Sequence, residues 1–300
     1  MDGFIVIDKP SGMTSHDVVN VVRRITGIKK VGHTGTLDPF ATGVLPVAMG
    51  EATKAIPYLD EVEKEYSATL RLGESTDTQD FTGRIIERKE WRGITPESIQ
   101  DVFSRFRGRQ SQLPPKYSAL KHNGVPLYRL ARRGEEVCKK PRCIEIFSLA
   151  IDSVSLPEVE FTVRCSRGTY IRTLSHDMGE ELGCGAHLAK LRRTASGPFT
   201  LNIARSLDAV AILARDGLLG NIVISPYEAL SHLSDFQVDE AVEMKVSHGI
   251  APRMNDFISL SGAIEGNAMV RISSCGRLSA VAQVLDNGGE RQLRLVRVFN

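Results

Sequence analysis

The chain has 300 residues, 42% hydrophobic and 25% charged, with a formal net charge of +2. That is enough for a sizeable core and about two domains, and a charge so near zero decides nothing about partners by itself, so its distribution along the chain is what matters. No run of about 18 apolar residues is present to span a membrane, and Met1-Asp-Gly-Phe4 lacks the basic and apolar regions of a secretion signal, so a soluble cytoplasmic protein is expected.

Phe4 to Ile7 is a short apolar run that predicts a buried strand, ended by the turn Asp8-Lys-Pro-Ser-Gly12. Thr14 followed three residues later by Asp17 has the form of a capping box, with Val18, Val22 and Ile25 on one face of the helix it would open. Val31 to Leu45 follows, a stretch of glycines, threonines and proline around one carboxylate, Asp38. Pro39 fixes its own φ and pushes Asp38 towards extended backbone, so the carboxylate should be displayed on a rigid loop.

Val44 to Met49 and Tyr66 to Leu72 predict strands, and the acidic residues Asp60, Glu61, Glu63 and Glu65 between them a solvated surface. Thr76-Asp-Thr-Gln-Asp80 with Gly83 is rich in turn formers and lacks the EF-hand spacing, so a loop is expected. A helix should start at Thr95-Pro96 and run through Phe103 and Phe106. From Arg105 to Arg142, 11 Lys/Arg stand against Glu135 and Glu136, with Tyr117, His122 and Tyr128 interleaved. Basic charge interleaved with aromatics is a nucleic-acid footprint, here expected on a surface loop around Leu113 to Ser118.

Cys143 to Val154 and Val159 to Cys165 read as a hairpin. Ile171, Leu174, Met178 and Leu182 then mark a helix closed by Gly183, with Arg172 in its first turn. Ser206 and Ser225 cap two further helices, and the polar stretch Ser231 to Asp235 marks a boundary, dividing the chain into 1–232 and 233–300. The tail holds short strands at Val270 to Ser273, Leu278 to Leu285 and Leu293 to Phe299, split by Gly276 and Asn287-Gly-Gly289. Five cysteines, of which only Cys138 and Cys143 are close and at no zinc spacing, predict reduced thiols and no metal.

Thr34-Gly-Thr36 invites comparison with phosphotransferases, but Gly32 and His33 stand where their aspartate and lysine would be. Phosphate-loop and dinucleotide fingerprints are missing too, and Asp38 lacks the second carboxylate of a typical glycosidase. Six blocks then carry a specific resemblance. Gly32-His-Thr-Gly-Thr-Leu-Asp38-Pro with Ala41-Thr-Gly43, Gly50-Glu-Ala-Thr-Lys54, Thr76 to Asp80, Gln112 to Ala119, Leu127 to Arg132 and Cys165 to Thr173 resemble, in order, the bacterial TruB family of tRNA pseudouridine-55 synthases. The match is dense from Phe4 to Phe199.

The resemblance implies a mixed α/β (α+β) catalytic domain, with a large, mainly antiparallel mixed sheet flanked by helices, and a small C-terminal PUA-like β-barrel domain for RNA. It implies isomerisation of a uridine in the tRNA T-loop, after the base is flipped, with no cofactor and no metal. Asp38 would be the nucleophile, at C1′ of the ribose or C6 of the uracil. Arg172 would pair with it and lower its pKa, and Tyr66 would stack on the uracil and serve the C5 proton transfer. His33 would enter the space the base vacates, Tyr170 and Leu191 would line the uracil pocket, and Lys9 would support the loop. The partner would be the T-arm and elbow of tRNA, met by a monomer without guide RNA or membrane. A tRNA-folding assistant and a guide-RNA-dependent synthase are the competing readings.

Overall fold

The computed structural model describes residues 1–60, 63–118, 120–122, 124–135, 139–261, 267–287 and 290–300, with the backbone alone for 121, 122, 126, 128, 132, 287 and 290. Glu61, Ala119, Glu136, Cys138, Gly288 and Gly289, and the side chains of Lys121, His122, Tyr128 and Arg132, lie outside the described residues.

In chain order the elements are β1 (Gly3–Lys9), α1 (Ser15–Thr26), β2 (Val31–His33), β3 (Thr42–Met49), β4 (Glu63–Leu72), β5 (Glu74–Thr76) and β6 (Ile85–Arg88). There follow α2 (Pro96–Arg105), β7 (Gly108–Gln112), β8 (Lys121–His122), β9 (Val125–Pro126), α3 (Leu127–Arg132), β10 (Arg142–Ser155), β11 (Glu158–Ser166) and α4 (Ile171–Glu181). Next come β12 (Ala186–Ser196), β13 (Phe199–Thr200), α5 (Leu207–Arg215) and α6 (Pro226–Ala229). The tail adds β14 (Ser234–Val238), α7 (Glu240–Ser247), β15 (Phe257–Ser261), β16 (Met269–Ser274), β17 (Arg277–Asn287) and β18 (Glu290–Val298).

The first sheet has nine strands on the path β1-β3-β12-β4-β11-β10-β7, with β2 added on β3 and β13 on β12. Its pairings are antiparallel except β12 on β3, where Arg192 and Arg193 lie beside Thr42 and Gly43. This matches the expected mainly antiparallel mixed sheet. Strand β12 arrives late in the chain yet sits between β3 and β4, which brings three distant segments side by side.

Alternation along β1 shows why Phe4 to Ile7 is an unbroken apolar run. Ile5 and Ile7 join the main core with α1 residues Val18, Val19 and Val22, while Phe4 and Val6 turn to a second core with Phe199, Leu230, Val281 and Phe299. Both faces are buried there, so no position from Phe4 to Ile7 calls for a polar residue. The second core joins the first sheet to the tail, whose strands run β15-β14-β16-β17-β18 around Phe236, Val246, Val270 and Ile272.

The capping expectations hold: Thr14 and Asp17 satisfy each other's backbone donors at the start of α1, and Thr95, Ser206 and Ser225 cap α2, α5 and α6. Three local readings are refined. The acidic surface runs onto β4, where Glu63 pairs with Arg164 at the surface and Glu65 accepts from the Thr194 hydroxyl. The Leu113 to Ser118 segment is only half a surface loop, since Pro114, Pro115 and Ser118 are buried. In the tail, β14 starts inside the polar boundary stretch, because Asp235 is buried against polar partners.

Candidate active site

Asp38 lies in the connection from β2 to β3, and that connection is tied down on several sides. The Ser15 hydroxyl accepts from the Leu37 amide at 2.9 Å and donates to the Leu37 carbonyl at 3.2 Å. The Gly12 amide donates to the Pro39 carbonyl at 2.8 Å. Lys9, fully buried, donates through Nζ to the carbonyls of Pro10 (2.8 Å), Met13 (2.7 Å) and Pro39 (3.1 Å). Burial lowers Lys9 to about 8, with the Asp38 carboxylate opposing that shift. Lys9 thus supports the loop through Pro39.

Arg193, also fully buried, closes the other side. Its Nε donates to the Val44 carbonyl at 2.7 Å and its Nη2 to the Gly35 carbonyl at 3.1 Å. Gly43 beside it has φ +100°, and a Cβ there would run into the Arg193 carbonyl, so only glycine lets β12 pass this close.

Arg172 reaches Asp38 from the first turn of α4. Its Nε lies 2.9 Å from Asp38 Oδ2 and its Nη2 donates to Oδ1 at 3.2 Å. The same guanidinium donates to the Tyr117 carbonyl (2.8 Å), the Thr78 carbonyl (3.0 Å) and Asp80 Oδ2 (3.3 Å). Three acceptors on two segments therefore fix its plane, and with it the direction of the Asp38 carboxylate. The Arg172 side chain is 5% exposed whereas that of Asp38 is 31% exposed, so the carboxylate is both held and open.

The expected lowering of the Asp38 pKa is corrected. Burial pushes it above the ordinary carboxylate value, Arg172 pulls it down, and the Asp80 charge pushes it up again. One guanidinium serves two carboxylates, and the upward push wins.

Tyr66 sits on β4 opposite Arg193 of β12 and Val163 of β11. Burial raises its phenol to about 12, so it is un-ionised at neutral pH. Leu191 is buried two residues before Arg193, opposite Ala68. Tyr170 is the N-cap residue of α4, its backbone held by the Gln112 amide, which accepts from Tyr170 N at 2.8 Å and donates to its carbonyl at 3.0 Å. Burial raises the Tyr170 phenol too. His33 closes β2 opposite Val47, directly before the Asp38 loop.

The structure brings Asp38 and Arg172 into direct contact, links Lys9 to them through a carbonyl, and places Tyr66 and Leu191 on adjoining strands. Two residues escaped the sequence reading. Asp80 looked like part of a polar turn, yet it is buried, accepts from Thr78 and Thr82, and anchors Arg172. Arg193 carried no signal beyond standing two positions from Leu191. Chemically, the site offers one oriented, partly exposed carboxylate able to act as nucleophile or base.

Residues 23–171 match the TruB family pseudouridylate synthase N-terminal domain, and residues 172–230 match the tRNA pseudouridylate synthase B C-terminal domain. Their junction falls inside α4, and the second match supplies β12 to the centre of the first sheet. A tRNA pseudouridine synthase B of Geotalea uraniireducens is 56% identical over 304 residues, covering 100% of this chain and 98% of its own. Its counterpart in Geobacter sulfurreducens is 55% identical, with 100% of both chains covered. Among solved structures, a chain of an H/ACA RNP bound to a substrate RNA containing 2′-deoxyuridine superposes with a TM-score of 0.77 at 26% identity, covering 99% of this chain and 85% of that one. A chain of a Cbf5-Nop10-Gar1 complex gives 0.76 at 27%, covering 99% and 84%.

Proposed function

Since this chain belongs to the TruB family of pseudouridine synthases and modifies tRNA, we propose that it isomerises uridine 55 of the T-loop, with Asp38 as nucleophile. The reaction breaks the C1′–N1 bond, turns the base, joins C1′ to C5, and moves a proton from C5 to N1. No atom is gained or lost. A uridine inside a stacked loop exposes neither C1′ nor C6 to a carboxylate, so the base is flipped into the site. Attack at C1′ and attack at C6 both need Asp38 ionised, and both are open to a carboxylate that Arg172 aims towards solvent.

Tyr66 stacks on the flipped uracil and, un-ionised at neutral pH, relays the C5 proton, its oxygen taking that proton as its own hydroxyl proton leaves towards N1. Tyr170 and Leu191 line the pocket, His33 occupies the gap left in the RNA, and Lys9 holds the loop backbone. The basic segment lies along the T-arm and elbow, and its reach into the site is supported by Tyr117, whose carbonyl accepts from Arg172. Residues 1–232 form the catalytic domain and 233–300 a PUA-like RNA-binding domain, a division supported by the change of sheet at Ser234. The protein works as a monomer without guide RNA, and the guide-free half of that reading is supported by full-length relatives named tRNA pseudouridine synthase B.

The observation that carries this reading is the Asp38–Arg172 pair, a half-open carboxylate fixed by a buried guanidinium. The test is to treat unmodified tRNA transcript with the purified protein and map pseudouridine at each position. Product at position 55 alone, with no added RNA, is expected; product elsewhere, or none without a guide, overturns the specificity.

A further inference from the structure

The two loops that bear the site carboxylates each run on into an aromatic residue. Phe40 follows Asp38 by two positions, and Phe81 follows Asp80 by one. Their rings meet across the gap between the loops, centroids 5.3 Å apart and planes at 80°. Phe81 is nevertheless 53% exposed. Its backbone is anchored: the Phe81 amide donates to the Leu188 carbonyl at 3.0 Å, the Leu188 amide to the Gln79 carbonyl at 3.1 Å, and the Thr82 amide to Asp80 Oδ1 at 3.0 Å. A single exposed apolar side chain needs no explanation. A ring held half in water by a pinned loop, packed against a second ring that stands two residues after Asp38, is a different object.

We propose that Phe81, buttressed by Phe40, is a stacking platform for the unpaired base that adjoins the target uridine in the RNA loop. This inference rests on the proposed function and extends it to a second nucleotide. A uridine that leaves the stack to reach Asp38 strips its neighbour of a stacking partner, and an aromatic face beside the carboxylate replaces what was lost. Such stacking tolerates any base, so the platform adds affinity rather than sequence choice.

The test compares wild type, Phe81→Ala, Phe81→Leu and Phe81→Trp on a tRNA arm hairpin and on two hairpins made abasic immediately 5′ or 3′ of the target. On the intact hairpin Phe81→Ala should weaken binding and raise KM by about tenfold, leave the single-turnover rate at saturating RNA near wild type, and be rescued by Trp better than by Leu. On one of the two abasic hairpins the difference between wild type and Phe81→Ala should vanish. Equal loss on all three hairpins, or no loss on the intact one, overturns the platform. Pseudouridine formed by wild type on the intact hairpin reports separately on the proposed function, so the two can fail independently.

Discussion

Arg172 in α4 and Arg271 in β16 each hold a buried aspartate, and the two clusters are satisfied to different degrees. Asp235, the partner of Arg271, accepts from the Tyr227 hydroxyl (2.7 Å), the Ser273 hydroxyl (2.7 Å) and Gln237 Nε2 (3.3 Å), with Arg271 Nε at 3.5 Å. Arg271 in turn donates to the Tyr227 carbonyl at 2.6 Å and lies 4.0 Å over its ring, tying α6 to the tail sheet. At the other cluster Arg172 is shared by Asp38 and Asp80, and the oxygens of Asp38 take donors only from Arg172 among the described residues. A carboxylate with every lone pair answered serves structure, whereas one left short of donors and open to solvent keeps chemistry in reserve.

Linkage gives the difference a sign. Asp38 titrates above its unfolded value, so stability is fully present below the unfolded pKa and falls as pH rises through the folded one. At neutral pH its ionised form costs stability, and activity that needs that form should fade on acidification at a higher pH than for an ordinary carboxylate.

Breaking the shared guanidinium should have the largest effect. Arg172→Lys cannot serve two carboxylates and two carbonyls at once, and single-turnover pseudouridine formation should drop about a thousandfold; a rate within tenfold of wild type would break the contrast. Asp235→Asn should instead cost about 2 kcal/mol in urea denaturation, because buried donors lose their acceptor, with the rate unchanged where the variant is folded. A slower rate in folded Asp235→Asn would make that cluster functional as well. Asp80→Asn removes a charge that pushes Asp38 up, so the acid limb of the pH-rate profile should move to lower pH; a limb that stays or moves up refutes the shared-charge account. Tyr227→Phe should cost only about 1 kcal/mol, for one lost hydrogen bond, and leave the pH profile alone.

What the sequence revealed divides along the same line. Helix starts were legible because capping is local: Thr14 with Asp17, and Ser225 with Glu228, lie within one turn of the bond they make. Asp38 was legible because its glycines and proline announce a displayed carboxylate. Asp80 was not, since a Thr/Asp-rich turn looks solvated until Arg172, distant in sequence, is folded against it. Arg193 stayed hidden for the same reason, its two acceptors lying on the β2 to β3 connection and β3. The upward shift of Asp38 needed the burial and the second carboxylate, neither of which a motif records. Strand β14 was missed because Asp235 reads as polar boundary until its partners in β16 and α6 surround it.

The most direct test is Asp38→Asn, assayed for tRNA binding, single-turnover pseudouridine formation and thermal unfolding, with deamidation excluded by mass. The account predicts no product, tRNA affinity within about twofold of wild type, and a melting temperature at or above wild type, since the raised pKa makes the ionised form of Asp38 a cost to stability at neutral pH. Substantial product from protein shown to carry asparagine at position 38 would contradict the assignment of Asp38 as nucleophile.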